Sequence, residues 1–573
     1  VTDQQQASPQ SPTAEAPSSV SGIGVSPGRA AGPVAQLAGA VPEPGMESLP
    51  EGADLEAAVA SVADHAARVA AGLTASAEKA QGESREVLET TAQMAADPTL
   101  VQVAQSHVRG QRLSPARAVW EAAGSVADQL SALGGYMAER ARDVYDVRDR
   151  IVASLLGLPM PGVPQREEPF VLVARDLAPA DTALLDPAKV RAIVTSEGGP
   201  TSHTAILARA LGIPAVVGAT GALEALTNDR LVLVDGAAGT ITLDPDAAAV
   251  EAAARLAAQV RTFDGDGRTS DGHKVQLLAN VGDPAGAEKA AAAGAEGVGL
   301  FRTEFCFLDR ADEPTIAEQV EQYRTVLAAF PGKKVVVRTL DAGADKPMPF
   351  LTDTAEPNPA LGVRGLRTAW ANPQILDNQL QAIAEAAAAE SADVWVMAPM
   401  IATVPETEDF VAACARHGLT TAGVMVEVPS AALLSGPILA RASFASIGTN
   451  DLTQYTMAAD RMLGSLATLS DAFQPAVLRM IEETCRGGAQ QDRPVGVCGE
   501  AAADPATAVV LVGLGVSSLS MSPRSLADVA AVLAATSFER CQELARIAVE
   551  SESADQARAR VREGLPILAE LGL

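Results

Sequence analysis

One histidine of this chain stands in unusual company. His203 lies in GGPTSHTAILARALG (198–212), where a glycine pair closes a β-rich run and an apolar-periodic helix is expected just past the histidine. Thr201 and Ser202 are candidate caps for that helix, and Gly212 supplies its stop. A histidine there faces free N–H groups and the positive end of the helix dipole, which together favour an added phosphate. With an unperturbed pKa of about 6.5, its neutral imidazole is also a capable nucleophile near neutral pH.

A second set of reactive side chains recurs further along. Arg302 follows GVGLF, Arg338 sits in VVVRTLD and Glu427 in AGVMVEVP. Asn450 and Asp451 follow FASIG, Arg461 lies ten residues past Asp451, and Cys498 sits in PVGVCGE. Arginines offer fork-shaped donors matched to phosphate and carboxylate. Two carboxylates, Glu427 and Asp451, suit Mg2+, which completes its shell with water and substrate oxygens. A thiol beside them can protonate a carbanion-like or enolate centre. The ligand implied is small and strongly anionic, carrying phosphate and carboxylate.

What positions these residues is a regular alternation of elements. Eight apolar, β-rich segments run from about residue 273: 275–281, 297–305, 335–341, 394–400, 422–429, 444–451, 494–500 and 517–522. Alanine-rich helical stretches separate most of them, which predicts a (β/α)8 barrel. An open doubly wound sheet is the rival, and the barrel is favoured because the polar residues gather at strand ends, where barrels place their chemistry. Before it, strands are expected at 170–177, 191–199, 215–218, 230–236 and 240–244, with a connecting helix over 245–262 and a loop over 264–272. Residues 52–157 read as helices, on the stripes Val59-Val62-Val69-Leu73, Val119-Val126-Leu130-Leu133-Met137 and Val144-Val147-Ile151-Leu155. Short apolar pieces over 21–40 look like another part of the α/β unit, with the helical block inserted into it. Residues 1–20 are polar and Pro/Ser/Gln-rich, and are expected to be a disordered tail.

Composition narrows the function classes. A formal charge of −28 argues against nucleic acid and anionic membrane surfaces. No stretch approaches the roughly 18 apolar residues of a membrane span, and residues 1–20 do not read as a signal peptide. The five cysteines show no metal-finger spacing. A cytoplasmic, reduced protein is the expectation. His65, His107, His273 and His417 are read as ordinary residues, and Cys306, Cys414, Cys485 and Cys541 as small buried hydrophobes. Arg367 reads as a surface charge, while Arg364 in LGVRGLR stands evenly between a surface charge and a substrate contact.

The segments GGPTSHTAILAR, GVGLFRTEF, VVRTLDAGADK, GVMVEVPSA, SIGTNDLTQYTMAADR and GVCGE resemble the motifs of Enzyme I of the bacterial sugar phosphotransferase system, phosphoenolpyruvate-protein phosphotransferase, among the PEP-utilizing enzymes. The resemblance runs from about Ser21 to the C-terminus. It implies a swivelling phosphohistidine α/β domain (21–45 and 158–245), an inserted helical domain that binds the carrier HPr (46–157) and a linker helix (246–270). A (β/α)8 TIM barrel (271–573) would bind phosphoenolpyruvate and form a homodimer. Carried over residue by residue, His203 matches the phosphorylated histidine and Cys498 the proton donor to the enolate. Arg302, Arg338, Asn450, Asp451 and Arg461 match substrate contacts, and Glu427 and Asp451 match Mg2+ ligands. Phe301 and Ala344 depart from the common Tyr and Gly. Pyruvate phosphate dikinase and phosphoenolpyruvate synthase share these parts but need a nucleotide-binding domain for which the chain has no room. A non-catalytic sensor is expected to have lost a reacting group, and a barrel lyase leaves GGPTSH unexplained.

Overall fold

The computed structural model describes residues 19–37, 41–78, 83–133, 135–158, 160–164, 166–177, 185–199, 202–259, 261–308, 310–343, 348–352, 356–461 and 463–573. The chain divides into two units, residues 1–257 and 258–573.

In the first unit, eight strands form one sheet in the order β1-β8-β7-β3-β4-β5-β6-β2. They are β1 Ser19–Ser21, β2 Ile23–Ser26, β3 Arg29–Gln36, β4 Phe170–Ala174, β5 Val190–Thr195, β6 Ala215–Val217, β7 Leu231–Asp235 and β8 Thr240–Leu243. β3 to β6 run parallel, and β4 reads FVLVA because both its faces are covered. Between β3 and β4 the chain leaves the sheet for five helices: α1 Leu55–Ala77, α2 Glu83–Ala95, α3 Pro98–Gln111, α4 Pro115–Leu133 and α5 Gly135–Leu156. These bury their stripes in a core of their own that includes Val59, Val62, Val69, Val119, Val144, Val147 and Ile151. The inserted helical block is therefore a feature of the fold.

Three readings shift at their edges. Ser19 and Val20, read as part of a tail, are strand: they pair with Thr242 and Ile241, and Val20 is buried; the rest of that reading, residues 1–18, lies outside the described part. The stripe through Val119 and Met137 spans two helices, since α4 ends at Leu133 and α5 opens at Gly135, where glycine lowers helix propensity. The side chains of Leu133 and Met137 are outside the described part, as are Thr201 and Ala344. The connecting helix is shorter than read, Ala247–Ala257.

In the second unit, eight parallel strands close into a barrel: β9 Gln276–Val281, β10 Gly297–Arg302, β11 Lys334–Arg338, β12 Asp393–Ala398, β13 Ala422–Val426, β14 Ala445–Ile447, β15 Val495–Val497 and β16 Ser518–Met521. Alternation sorts the side chains. Leu300, Val336, Met397, Met425 and Phe444 fill the interior, while Phe301, Val335, Val337, Val396 and Val424 pack outward under the helices. Several strands end sooner than their sequence segments. β10 stops at Arg302 and Glu304–Cys306 coils into a 3-10 turn, and β14 stops at Ile447, with Thr449–Met457 forming a helix. Polar runs such as TEF and TND supply no apolar alternation to extend a strand.

Candidate active site

All strands of the barrel point the same way, so their C-terminal ends share one mouth. Arg302 and Arg338 are the last residues of β10 and β11 and are register partners. Glu427 follows β13 by one residue, Cys498 follows β15 by one, and Asn450 and Asp451 lie in the helix just past β14. The structure thus brings together the barrel residues singled out from sequence.

It also adds Glu304, Asp341 and Tyr455, and draws in Arg364. Arg338 is buried, its Nη2 donating to Glu304 Oε1 at 2.9 Å and its Nη1 lying 3.0 Å from Asp341 Oδ2. Glu304 Oε1 accepts a second bond from the Asp341 N–H at 3.1 Å. Arg364, also buried, lies 3.4 Å from Asp451 Oδ1 and 4.0 Å from Asp341 Oδ2, and donates to the Tyr455 hydroxyl at 3.3 Å. Arg461 Nη1 meets Asp451 Oδ2 at 3.4 Å. Cations and carboxylates therefore alternate across the mouth. Burial opposes the charge of Arg338 and Arg364, yet the surrounding carboxylates more than offset it and raise both above the ordinary arginine range. Arg302 behaves oppositely: crowding by protein and repulsion from Arg338 lower it, although its side chain is open to solvent. A residue lining a concave mouth satisfies both observations, and the exposed surface is the part a ligand would meet.

Glu427 is 1% exposed and accepts the Met400 N–H at 2.9 Å. Met400 holds φ 59°, a left-handed conformation uncommon for a side-chain-bearing residue, and this aims its N–H at the carboxylate. Gly448 has to be glycine: a Cβ there would stand 2.7 Å from Glu427 Oε1 and 2.8 Å from its Cγ. Burial, then the charges of Asp451 and Asp341, push the Glu427 carboxyl up to about 8. Burial pushes the Cys498 thiol up to about 11, so it keeps its proton at neutral pH, and it points 3.6 Å from the Ile447 carbonyl. Asn450 accepts the Glu500 N–H at 3.4 Å. Among the described residues, Glu304 Oε2, Asp341 Oδ1, Asp451 Oδ1, Arg338 Nε, Arg364 Nε and Thr449 Oγ1 are buried without a hydrogen-bond partner. So many unmatched polar atoms in one place suit a polar ligand. At the opposite end of the barrel a small cavity touches Lys334, Trp395 and Phe444. It holds none of these groups, and that end of a barrel serves stability.

In the first unit, the histidine helix runs His203–Leu211, opening at His203 itself. Ser202 caps it by accepting the Ala205 N–H at 3.2 Å, and Gly212 ends it at φ 68°. Thr204 donates to Asp176 Oδ1 at 3.0 Å, tying the helix start to the loop after β4. The His203 side chain lies outside the described part.

The chain that carries a histidine at a helix start and an arginine-rich barrel mouth is similar to known proteins over most of its length. A phosphoenolpyruvate-protein phosphotransferase of Streptomyces coelicolor is 50% identical over 547 residues, covering 94% of this chain and 97% of that protein. The chain belongs to this family. Phosphotransferases of the same name from Haloferax volcanii and Staphylococcus carnosus are 39% and 35% identical, covering 83% and 82% of this chain and 86% and 85% of those proteins. Three family models match in sequence order: the PEP-utilising enzyme N-terminal domain over residues 21–140, the mobile domain over 166–239 and the PEP-binding domain over 257–538.

Within this phosphotransferase, sequence reasoning passed over Glu304 and Asp341 and left Arg364 undecided. Arg364 belongs to the mouth. Arg367 does not join it, donating instead to the Gly362 carbonyl at 3.2 Å. His65 bonds Ser154, His417 bonds Asp377, His107 bonds Gln111 and His273 stacks on Phe538, each a local contact. Cys306, Cys414, Cys485 and Cys541 are buried. Among the described residues, no helix is long and apolar enough to cross a membrane.

Proposed function

We propose that the chain takes the phosphoryl group of phosphoenolpyruvate onto His203 and passes it to a histidine of the carrier protein HPr, releasing pyruvate, as the first general component of the sugar phosphotransferase system. The observation that carries this reading is the barrel mouth, where four arginines converge with four carboxylates and a protonated thiol, in a chain that also holds a histidine at the start of a capped helix. Arg302, Arg338, Asn450, Asp451 and Arg461 bind the phosphate and carboxylate of the substrate. Membership of the family supports each assignment.

Glu427 and Asp451 would hold Mg2+. The donor set fits: the charge of Asp451 reaches Glu427 and helps raise its carboxyl, and Asp451 Oδ1 lacks a hydrogen-bond partner. When bound, the ion offsets negative charge on substrate oxygens.

Phosphoryl transfer asks the protein mainly for positioning and charge. The His203 imidazole attacks phosphorus, so that a P–N bond forms as the P–O bond to enolpyruvate breaks and its electron pair leaves with the enolate. Cys498 gives its thiol proton to the methylene carbon, completing pyruvate, and regains a proton from solvent. The histidine and the barrel belong to separate units, so His203 must be carried to the mouth and then to HPr. Such hinged steps take microseconds to milliseconds or longer. The helical block α1–α5 docks HPr, the barrels pair as a homodimer, and the reaction is cytoplasmic.

A steady-state assay tests the reading. With phosphoenolpyruvate, Mg2+ and HPr, one pyruvate is expected per HPr phosphorylated. Pyruvate accumulating at the same rate without HPr would instead mark a hydrolase or lyase.

A further inference from the structure

Behind the mouth runs a buried polar chain that the transfer chemistry does not use. Gln379 lies on the helix Pro373–Ala389 and is 1% exposed. Its Nε2 donates to Thr303 Oγ1 and to the Tyr323 hydroxyl, both at 3.0 Å, and its Oε1 accepts the Leu340 N–H at 2.8 Å. Thr303 Oγ1 in turn donates to the Arg338 carbonyl at 2.9 Å. Tyr323 passes its proton to Gln319 Oε1 at 3.0 Å, and Gln319 donates to the Pro314 carbonyl at 3.1 Å.

We propose that Gln379 is a positioning residue for the substrate-binding arginines, fixing the backbone at the ends of β10 and β11 through Thr303 and Leu340. The inference rests on the reading of the mouth as a phosphoenolpyruvate site. One amide reaches the ends of both strands. It holds Thr303, the neighbour of Arg302; through Thr303 it holds the carbonyl of Arg338; and it holds Leu340, two residues beyond Arg338. Glu304 fixes the Arg338 guanidinium from the other side. Both arginines thus leave backbone pinned from behind, and a polar chain this deep is worth keeping only when every member is satisfied. An apolar residue at 379 would pack in the helix stripe but would release both Thr303 and Leu340, leaving the Thr303 bond to the Arg338 carbonyl without its anchor. Displacing reacting or binding groups by about 1 Å can cost orders of magnitude in function.

The test is calorimetric titration of phosphoenolpyruvate with Mg2+ into the full chain carrying His203→Ala, which prevents turnover, alongside thermal melts. In that background Gln379→Met and Thr303→Val are each expected to weaken binding by about tenfold. Tyr323→Phe loosens the far end of the same chain while sparing the grips on Thr303 and Leu340; it should bind within about twofold of the parent, even with a lowered melting temperature. Parent-like affinity in both Gln379→Met and Thr303→Val overturns the proposal, as does equal weakening by Tyr323→Phe. Should Gln379→Met fail to fold, Thr303→Val decides alone, since it removes one hydroxyl and keeps the shape. No binding by the parent, or parent-like binding by Arg338→Met, would instead count against the substrate reading itself.

Discussion

Arg302 and Arg338 are register partners, yet replacing them should have different physical consequences. Arg338 is buried and is the ion-pair partner of both Glu304 and Asp341. Arg338→Met would leave two buried carboxylates short of their cation, and Glu304 already has one oxygen unmatched. Breaking a buried pair from one side typically costs about 3–5 kcal/mol. Arg302 is exposed and makes no such pair among the described residues, so Arg302→Met should change stability by no more than about 0.5 kcal/mol. For substrate the two should be alike: each loses charge-assisted bonds to an anion, about 3 kcal/mol, or roughly a hundredfold in affinity. Urea unfolding read by fluorescence separates the two effects. The chain has three tryptophans, Trp120 in the helical block and Trp370 and Trp395 in the barrel unit, so a Trp120→Phe background reports the barrel alone. Equal destabilisation by both variants would rule out the internal pairing of Arg338, and unaltered phosphoenolpyruvate binding by either would remove that arginine from the substrate site.

Three further expectations follow from the same geometry. Cys498→Ala should lower pyruvate formation by about 10²–10⁴-fold while sparing phosphoryl exchange onto the protein; equal loss of both would remove the proton-donor role. Burial and neighbouring charge hold the Glu427 carboxyl up to about 8, so Mg2+ must displace a proton at neutral pH. Its half-saturating concentration on the free protein should then fall roughly fivefold between pH 7 and 8, and a flat profile would contradict this. Gly448→Ala should destabilise the barrel by about 1–3 kcal/mol through overpacking against Glu427. Gly282→Ala, whose Cβ would meet nothing within 4 Å, should be silent in the same urea titration.

Much of the architecture was legible because it rests on periodicity. The barrel strands are short apolar runs separated by helical stretches, and the stripes of the helical block repeat at three and four residues. Their ends were less legible: in FASIGTND only Ala445–Ile447 is strand, because Gly448 turns the chain and Thr449 begins a helix. In the site, residues whose type is rare at strand ends stood out, while their counter-ions did not. Glu304 and Asp341 sit inside motifs quoted for their arginines, but in so acidic a chain a lone carboxylate reads as solvated surface. Which arginine is neutralised internally depends on contacts between strands distant in sequence. Gln379 did leave a signal. With Ala382, Ile383 and Ala386 it lies on the buried stripe of its helix, as Gln319 does with Tyr323 and Val326, and a polar residue on such a stripe asks for partners.

The central claim is that His203 carries the phosphoryl group, and the most direct measurement is transfer of label from phosphoenolpyruvate. The purified chain and its His203→Ala variant would be incubated with labelled phosphoenolpyruvate and Mg2+, then chased with HPr. Acid-labile label is expected on the chain, absent from the variant and moving to HPr on the chase. Label that fails to appear, or appears equally on the variant, would contradict it.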